Sequence, residues 1–295
     1  MPQLRLGVSL QPRWPLDDGR AVLRAAVHAE ELGLDHVAVG NRLLDSGFGL
    51  DTDPFVLLSA VAGATTRLRL LTSVLVAPYY PAVLLANQAA TLDVVSGGRL
   101  LLGVGTGWNP GEFAAAGVPV RERGARTDDH LAAAKALWTG RPADFEGRFT
   151  TLQGASLGVT PVTPGGPPVW VGGHSDVALR RALRFGDGWY GSGADAATVT
   201  DVRRRLRDLA DASQDADRLT LNSMEFFTPP GVPALIQPPG RPVGGPSPTA
   251  ASVVDDLGRL AEAGLSACTL WLPVAAEHVE KATEWIAAEV LPQLA

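Results

Sequence analysis

The sequence predicts an α/β protein built as a single (β/α)8 TIM barrel, and three observations predict it. Short β-branched apolar runs alternate with helical patterns from end to end. Eight of each are counted over 295 residues, a length that one barrel can absorb. None of the eight strands has the polar character of a sheet edge, which closure removes.

The strands read at Leu4–Leu10, His36–Val39, Arg69–Val74, Leu100–Val104, Val169–Val171, Gly188–Tyr190, Thr220–Phe227 and Ala267–Leu272. The first helix reads over Leu16–Leu32, with Val22, Leu23, Ala26, Val27 and Leu32 on one stripe and Gly33 as its left-handed stop. Further helices read at Pro54–Ala64, Ala82–Val95, Thr127–Trp138, Asp176–Phe185, Ala197–Ala212, Ala250–Ala263 and Glu277–Leu294. Two insertions interrupt the repeat within this one domain. Residues 143–168, after the fourth helix, contain Phe145-Glu146-Gly147-Arg148-Phe149, a hairpin pattern followed by an irregular connector. Residues 229–248, after the seventh strand, hold eight prolines and no helical period, so they are expected to be extended or disordered. This loop leaves a strand's C-terminal end, where barrel active sites lie, and reads either as a lid or as a tolerated surface insertion.

Hydrophobic residues make up 46% of the chain and charged residues 19%, which gives ample material for a large core. A net charge of −6 argues against nucleic acid as a partner. The one cysteine, Cys268, sits in an apolar run and has no internal partner for a disulfide, which fits a reducing cytoplasm. No apolar run is long enough for a membrane span and no leader pattern precedes the first strand. The five histidines are scattered without ligand spacing, so no metal is expected.

Candidate site residues gather where strands end. Trp14, Trp108, Trp189 and Trp271 fall at or beyond strand C-termini, as walls for a planar ligand would; each is also a reasonable core residue, Trp271 above all. The run Gly103-Val104-Gly105-Thr106-Gly107-Trp108-Asn109 is a strand with a glycine-rich exit, and Trp170-Val171-Gly172-Gly173-His174-Ser175 is a second exit that opens a helix. Bare backbone amides at such exits, with a helix dipole behind them, suit a phosphate; Ser175 alternatively just caps the helix. No nucleophile elbow or strong catalytic dyad is visible. An imported cofactor that carries the hard chemistry is the economical reading.

Several runs together resemble the luciferase-like monooxygenase superfamily, and its coenzyme F420 branch more than its FMN branch. They are Ala29-Glu30-Glu31-Leu32-Gly33-Leu34-Asp35-His36-Val37, Asp53-Pro54, Ala89 through Arg99, Gly103 through Phe113, Glu122-Arg123-Gly124, Phe145-Glu146-Gly147, Pro167 through Gly173, and Gly186-Asp187-Gly188-Trp189. The resemblance implies an oxidoreductase moving a hydride between the deazaflavin and a small organic substrate, at a C=C, C=N or C=O bond or an alcohol. It implies a non-proline cis peptide at Ser73-Val74 backing the ring. It also implies that Thr106, Gly107, Gly172, Gly173 and His174 hold the ribityl and phosphate portion, and that a homodimer forms, although no self-complementary patch is legible.

One departure stands out. Gly40-Asn41-Arg42 replaces the family's common Ser-Asp-His, putting a permanently charged guanidinium where a proton donor usually stands. Arg42, with Asn41 and Trp14, then either binds an anionic substrate or, for Arg42, makes a surface ion pair. Proton transfer falls to Glu112, Tyr79, Tyr80, His174 or Glu225; Glu225 reads equally as a buried structural pair. The alternatives are an FMN monooxygenase with a partner reductase, or a cofactor-binding protein that has lost catalysis.

Overall fold

The structure is a computed structural model and describes residues 4–10, 18–45, 52–237 and 240–294. Trp14 and the expected start of the first helix at Leu16 lie outside the described residues.

Eight parallel strands close into a barrel: β1 (Arg5–Ser9), β2 (His36–Val39), β3 (Arg69–Thr72), β4 (Leu100–Gly105), β5 (Val169–Gly172), β6 (Gly188–Ser192), β7 (Thr220–Phe226) and β8 (Leu265–Trp271). Each pairs in parallel with its chain neighbours, β1 pairs with β8, and the β3–β4 pairing completes the ring. Helices cover the outside. Those at Pro54–Ala64 and Asp176–Phe185 match the sequence pattern residue for residue, since Asp53 and Ser175 cap them through the N–H groups of Val56 and Ala178. Gly33 takes φ +83° after the first helix, Ala21–Glu31, as its position requires.

The differences from the sequence pattern are local. The third strand stops at Thr72 and resumes as a two-residue pairing at Leu75–Val76, because the chain turns out of register between them. The last helical pattern splits into Val279–Glu289 and Leu291–Leu294, since Pro292 cannot supply an amide hydrogen to a continuing turn. A short helix at Pro110–Ala115, capped by Asn109, has no counterpart in the sequence reading; six residues are too few for a visible period.

The insertion at 143–168 contains the expected hairpin, Ala143–Glu146 against Thr151–Ala155. The proline-rich loop corrects its expectation. Its described residues pack onto the barrel: Val232 and Val243 are buried, Val243 N–H donates to the Phe226 carbonyl at 2.9 Å, and Leu235 N–H donates to the Pro273 carbonyl at 2.7 Å.

Two residues of the resemblance runs are staples at the barrel's N-terminal face. Glu30 accepts the N–H groups of Thr66, Arg67 and Leu68, and Arg99 donates to the carbonyls of Ala62, Thr65, Leu68 and Ser96. They close the bottom of the fold and leave the opposite mouth free for chemistry.

Candidate active site

A cleft of about 480 Å³ opens at the C-terminal ends of the strands. Its floor is built by the break in the third strand. The Ser73-Val74 peptide bond is cis, as the resemblance implied, and Ser73 and Val74 both line the cleft. β4 passes so close beneath that a Cβ on Gly103 would lie 2.0 Å from the Thr72 carbonyl oxygen, and one on Gly105 would meet Val74 at 2.7 Å. Glycine is therefore required at both positions by the approach of the bulge.

Thr106, Gly107 and Trp108 line one side, and Gly172, Gly173 and His174 line another. The second exit loop leads into the ten-residue helix Asp176–Phe185. Ser175 caps that helix, which is compatible with an anion at its remaining amides. Trp108 stands at the mouth, 68% exposed, with the Arg42 guanidinium 4.8 Å above its ring. Of the expected residues, Arg42, Asn41, Ser73, Val74, Thr106, Gly107, Trp108, Glu112, Gly172, Gly173 and His174 are brought together.

The others are not. Trp189 is fully buried on the outer side of the barrel, where its Nε1–H donates to the Gly173 carbonyl at 2.7 Å and its ring meets the edge of His174; it supports the cofactor loop from behind instead of facing the cleft. Tyr80 is buried and donates to Asp53 Oδ2 at 2.6 Å; burial first, then that carboxylate, hold its hydroxyl well above the usual phenol range. Tyr79 donates to Glu112 Oε2 at 3.2 Å and is likewise pushed upward, first by burial and then by the Glu112 charge.

Glu112 lines the cleft but is fully engaged. Besides Tyr79 it accepts the N–H groups of Leu43 at 3.0 Å and Leu44 at 3.4 Å and pairs with Arg42 at 3.5 Å. Four donors on one carboxylate make it a clamp for the loop after β2. Arg42 thus makes an ion pair and also borders the cleft.

Glu225 points out of the barrel. It lines a separate cavity of about 440 Å³ with Asp195, Arg241, Asp256 and Arg259. It accepts from Ala194 N–H at 2.9 Å and from the Ser223 hydroxyl, and has no cationic partner in its hydrogen bonds or ion pairs, so the expected buried pair is absent among the described residues. Burial, aided by nearby Asp195, raises its carboxyl to about 7.

Sequence reasoning missed Gly40, Val76, Tyr190, Gly191, Ser192 and Met224, which also line the cleft. Tyr190 and Met224 alternate with outward residues on β6 and β7, and that period-two pattern is the signal that could have found them. No described residue of the proline-rich loop lines the cleft; it encloses a cavity of its own. No described helix is long and apolar enough to cross a membrane.

The chain is 36% identical over 185 residues to an uncharacterized protein of Mycobacterium tuberculosis, covering 62% of this chain and 63% of that protein's length. It is 33% identical over 225 residues to a F420-dependent glucose-6-phosphate dehydrogenase of Rhodococcus hoagii, covering 72% of this chain and 66% of that one. In three dimensions it superposes on a F420-dependent secondary alcohol dehydrogenase with TM-score 0.82 at 18% identity, over 99% of both chains, a likeness of fold. The family model for luciferase-like monooxygenases matches residues 4–255, and the chain belongs to that family, whose members are oxidoreductases and monooxygenases.

Proposed function

We propose that the protein is a F420-dependent oxidoreductase that moves a hydride between the deazaflavin and a small organic substrate at the cleft above Val74. The observation that carries this reading is the cleft's construction: a floor at Ser73 and Val74 flanked by glycine backbone at Gly105, Gly107 and Gly172, with His174 before the helix Asp176–Phe185 and the stacked Arg42 and Trp108 also in its lining.

These residues fit the group. A planar tricycle needs the close backbone approach that glycines allow, and its phosphate needs donors without a competing side chain. Val74 and Val76 would lie against the ring, and Thr106, Gly107, Gly172, Gly173 and His174 would hold the ribityl and phosphate portion. When bound, the deazaflavin supplies the hydride chemistry. The chain supplies the rest: Glu112 holds the Arg42–Leu44 loop over the cleft, Trp189 holds Gly173, and Arg42 offers a permanent charge to an anionic group of the substrate.

Exposed Val56, Val83, Leu84, Val94 and Val95, on the neighbouring helices Pro54–Ala64 and Ala82–Ser96, supply an apolar face that a homodimer would cover.

Titrating the purified protein with F420 and with FMN tests the reading. Saturable F420 binding with no FMN binding, followed by single-turnover hydride transfer with an alcohol or an activated C=C or C=N compound, is the expected result. Reduced FMN that binds and drives oxygen uptake would establish the monooxygenase reading, which the family's name favours. F420 binding with inertness toward every substrate would point to a silent binding protein, and failure of both cofactors to bind would remove the proposal.

A further inference from the structure

Beside the cleft lies a second cavity, of about 440 Å³, and the two are built on the same strand ends. At the end of β6, Gly191 and Ser192 line the cleft, whereas Gly193 and Ala194, which follow them, line the cavity. On β7 the alternation of a strand gives Met224 to the cleft and Glu225 to the cavity. The other walls come from Arg241 and Val243 of the proline-rich loop's end and from Asp256, Arg259 and Leu260 of the helix Ala250–Glu262. Ala196 and Ala197, in the first turn of the helix Ala196–Leu209, complete them.

The charges around this cavity do not close among themselves. Asp256 accepts from Arg241 at 2.6 Å and from the Gly244 N–H at 2.7 Å, and it also accepts from Arg259, so one carboxylate holds both guanidinium groups. Arg259 pairs with Asp255 as well, at 2.9 Å. Asp195 caps the helix Ala196–Leu209 by accepting the Thr198 N–H at 2.8 Å, which sets an anion against the positive end of that helix.

Glu225 is left over. It is 4% exposed, and both of its hydrogen bonds, from the Ala194 N–H and the Ser223 hydroxyl, end on Oε1. Oε2 has no partner among the described residues, in a carboxyl that borders a space of ligand size. With Glu225 ionised, the carboxylates of Asp195, Glu225 and Asp256 outnumber the guanidinium groups of Arg241 and Arg259 by one. A buried carboxylate is costly until a cation or further donors meet it, and no described side chain does so here.

The cavity favours an organic cation over a metal ion. No group of three metal-binding side chains exists among the described residues, and the volume is that of a molecule rather than an ion. Ala196, Ala197, Val243 and Leu260 offer apolar surface to a short carbon body.

We infer that this cavity is a second ligand site, which takes a small primary ammonium compound with its nitrogen on Glu225 Oε2 and its carbon body against Val243 and Leu260. The site is independent of what the cleft binds.

Binding is coupled to a proton. Burial, aided by Asp195, raises the Glu225 carboxyl to about 7, so in the free protein below neutral pH the ammonium must displace a proton that leaves to solvent. The groups packed around Glu225 keep their charge over that range. Cys268 on β8 and Tyr190 on β6 are pushed upward by burial and stay neutral, as does Ser223 on its own strand. Asp195 is held below the ordinary range by Thr198, and Asp256 also lies below it, since the bonds from Arg241 and Arg259 outweigh burial. Arg241 and Arg259 stay cationic. Ammonium affinity should therefore be about tenfold weaker at pH 6 than at pH 8.

Calorimetric titration of n-butylammonium chloride into the cofactor-free protein tests this, with sodium chloride and sodium butyrate as controls at equal ionic strength. Saturable binding at pH 8, the tenfold loss at pH 6 and proton release into the buffer are expected. Glu225→Gln keeps the shape of the side chain and should abolish binding in a protein whose circular dichroism is unchanged. The 13C carboxyl signal of Glu225, assigned from that variant, should move to its ionised position at pH 6.5 as the ammonium is added. Absence of saturable binding at pH 8, equal binding by folded Glu225→Gln, or a carboxyl signal that stays in place would overturn the site. Sodium ions that reproduce the effect would overturn the organic ligand in favour of an inorganic cation. Butyrate that binds instead would overturn it in favour of an anion on Arg241 and Arg259.

Discussion

The carboxylate of Glu112 accepts the backbone N–H of Leu43 at 3.0 Å and so fastens the loop leaving β2 to the short helix that follows β4. Removing it leaves the Leu43 and Leu44 N–H groups and the Tyr79 hydroxyl, all in part-buried bonds, without their acceptor. Glu112→Ala should therefore lower stability by about 2–4 kcal/mol in urea denaturation, the cost of leaving two or more polar groups unsatisfied. Glu112→Gln retains an acceptor for Leu43, and should keep measurable turnover with weakened binding of an anionic substrate. Complete loss of turnover in a folded Glu112→Gln protein would assign the carboxylate a proton-transfer role instead.

Glu225 predicts a pH dependence with a definite sign. Its folded carboxyl is raised to about 7, so the folded state holds a proton that the unfolded chain releases near the ordinary carboxylate value. Wild-type stability should fall as pH rises through that window, by at most about 3 kcal/mol. Glu225→Gln should remove this slope and be the more stable protein above pH 7. Denaturation curves at pH 5 and pH 8 check it; parallel losses in both proteins would show that the group is not perturbed.

Asp35 predicts the opposite sign. Held at about 2 by His36 and Arg69 against the cost of burial, it stabilises the fold above the ordinary aspartate range and loses that contribution as pH falls toward 2. Asp35→Asn should cost about 2 kcal/mol at pH 6, with the gap to wild type closing in acid. Chemical denaturation at pH 6 and pH 2.5 measures both ends of that window.

Trp189→Phe keeps a buried aromatic ring but deletes the donor to the Gly173 carbonyl. With that loop less firmly held, F420 affinity should fall about fivefold to tenfold, the effect of roughly one lost hydrogen bond, and the melting temperature should also fall, since the smaller ring leaves a cavity and an unpaired carbonyl in the core. Fluorescence titration of the deazaflavin reads the affinity directly. An unchanged dissociation constant would separate Trp189 from cofactor binding.

The barrel was legible because its signals are local. Val22 and Ala26 of the first helical stripe, the caps Asp53 and Ser175, and the short apolar strands each declare themselves within a few residues. The glycine-rich exits at Gly105–Gly107 and Gly172–Gly173 declared the cleft in the same way. Glu225 and Trp189 were misplaced for one shared reason. Strand residues alternate between lumen and outer layer, and an offset of one position reverses which side a residue serves. The proline-rich loop looked extended because proline lacks a donor, yet Val232 and Val243 still found an apolar surface to cover.

By itself the sequence determined that eight βα units would close on one another and that glycine-lined mouths would face one end, since helix stripes, caps and strand runs are encoded over distances of a few residues. Only the tertiary structure decided which polar groups meet. Glu112 reaches Leu43 across 69 positions, and His36 reaches Thr269 across 233, because the closed barrel sets β2 and β8 on either side of β1 and gathers the segments that follow β2 and β4 at one mouth. Contacts of that range have no pattern along the chain; they exist only once the ring is shut.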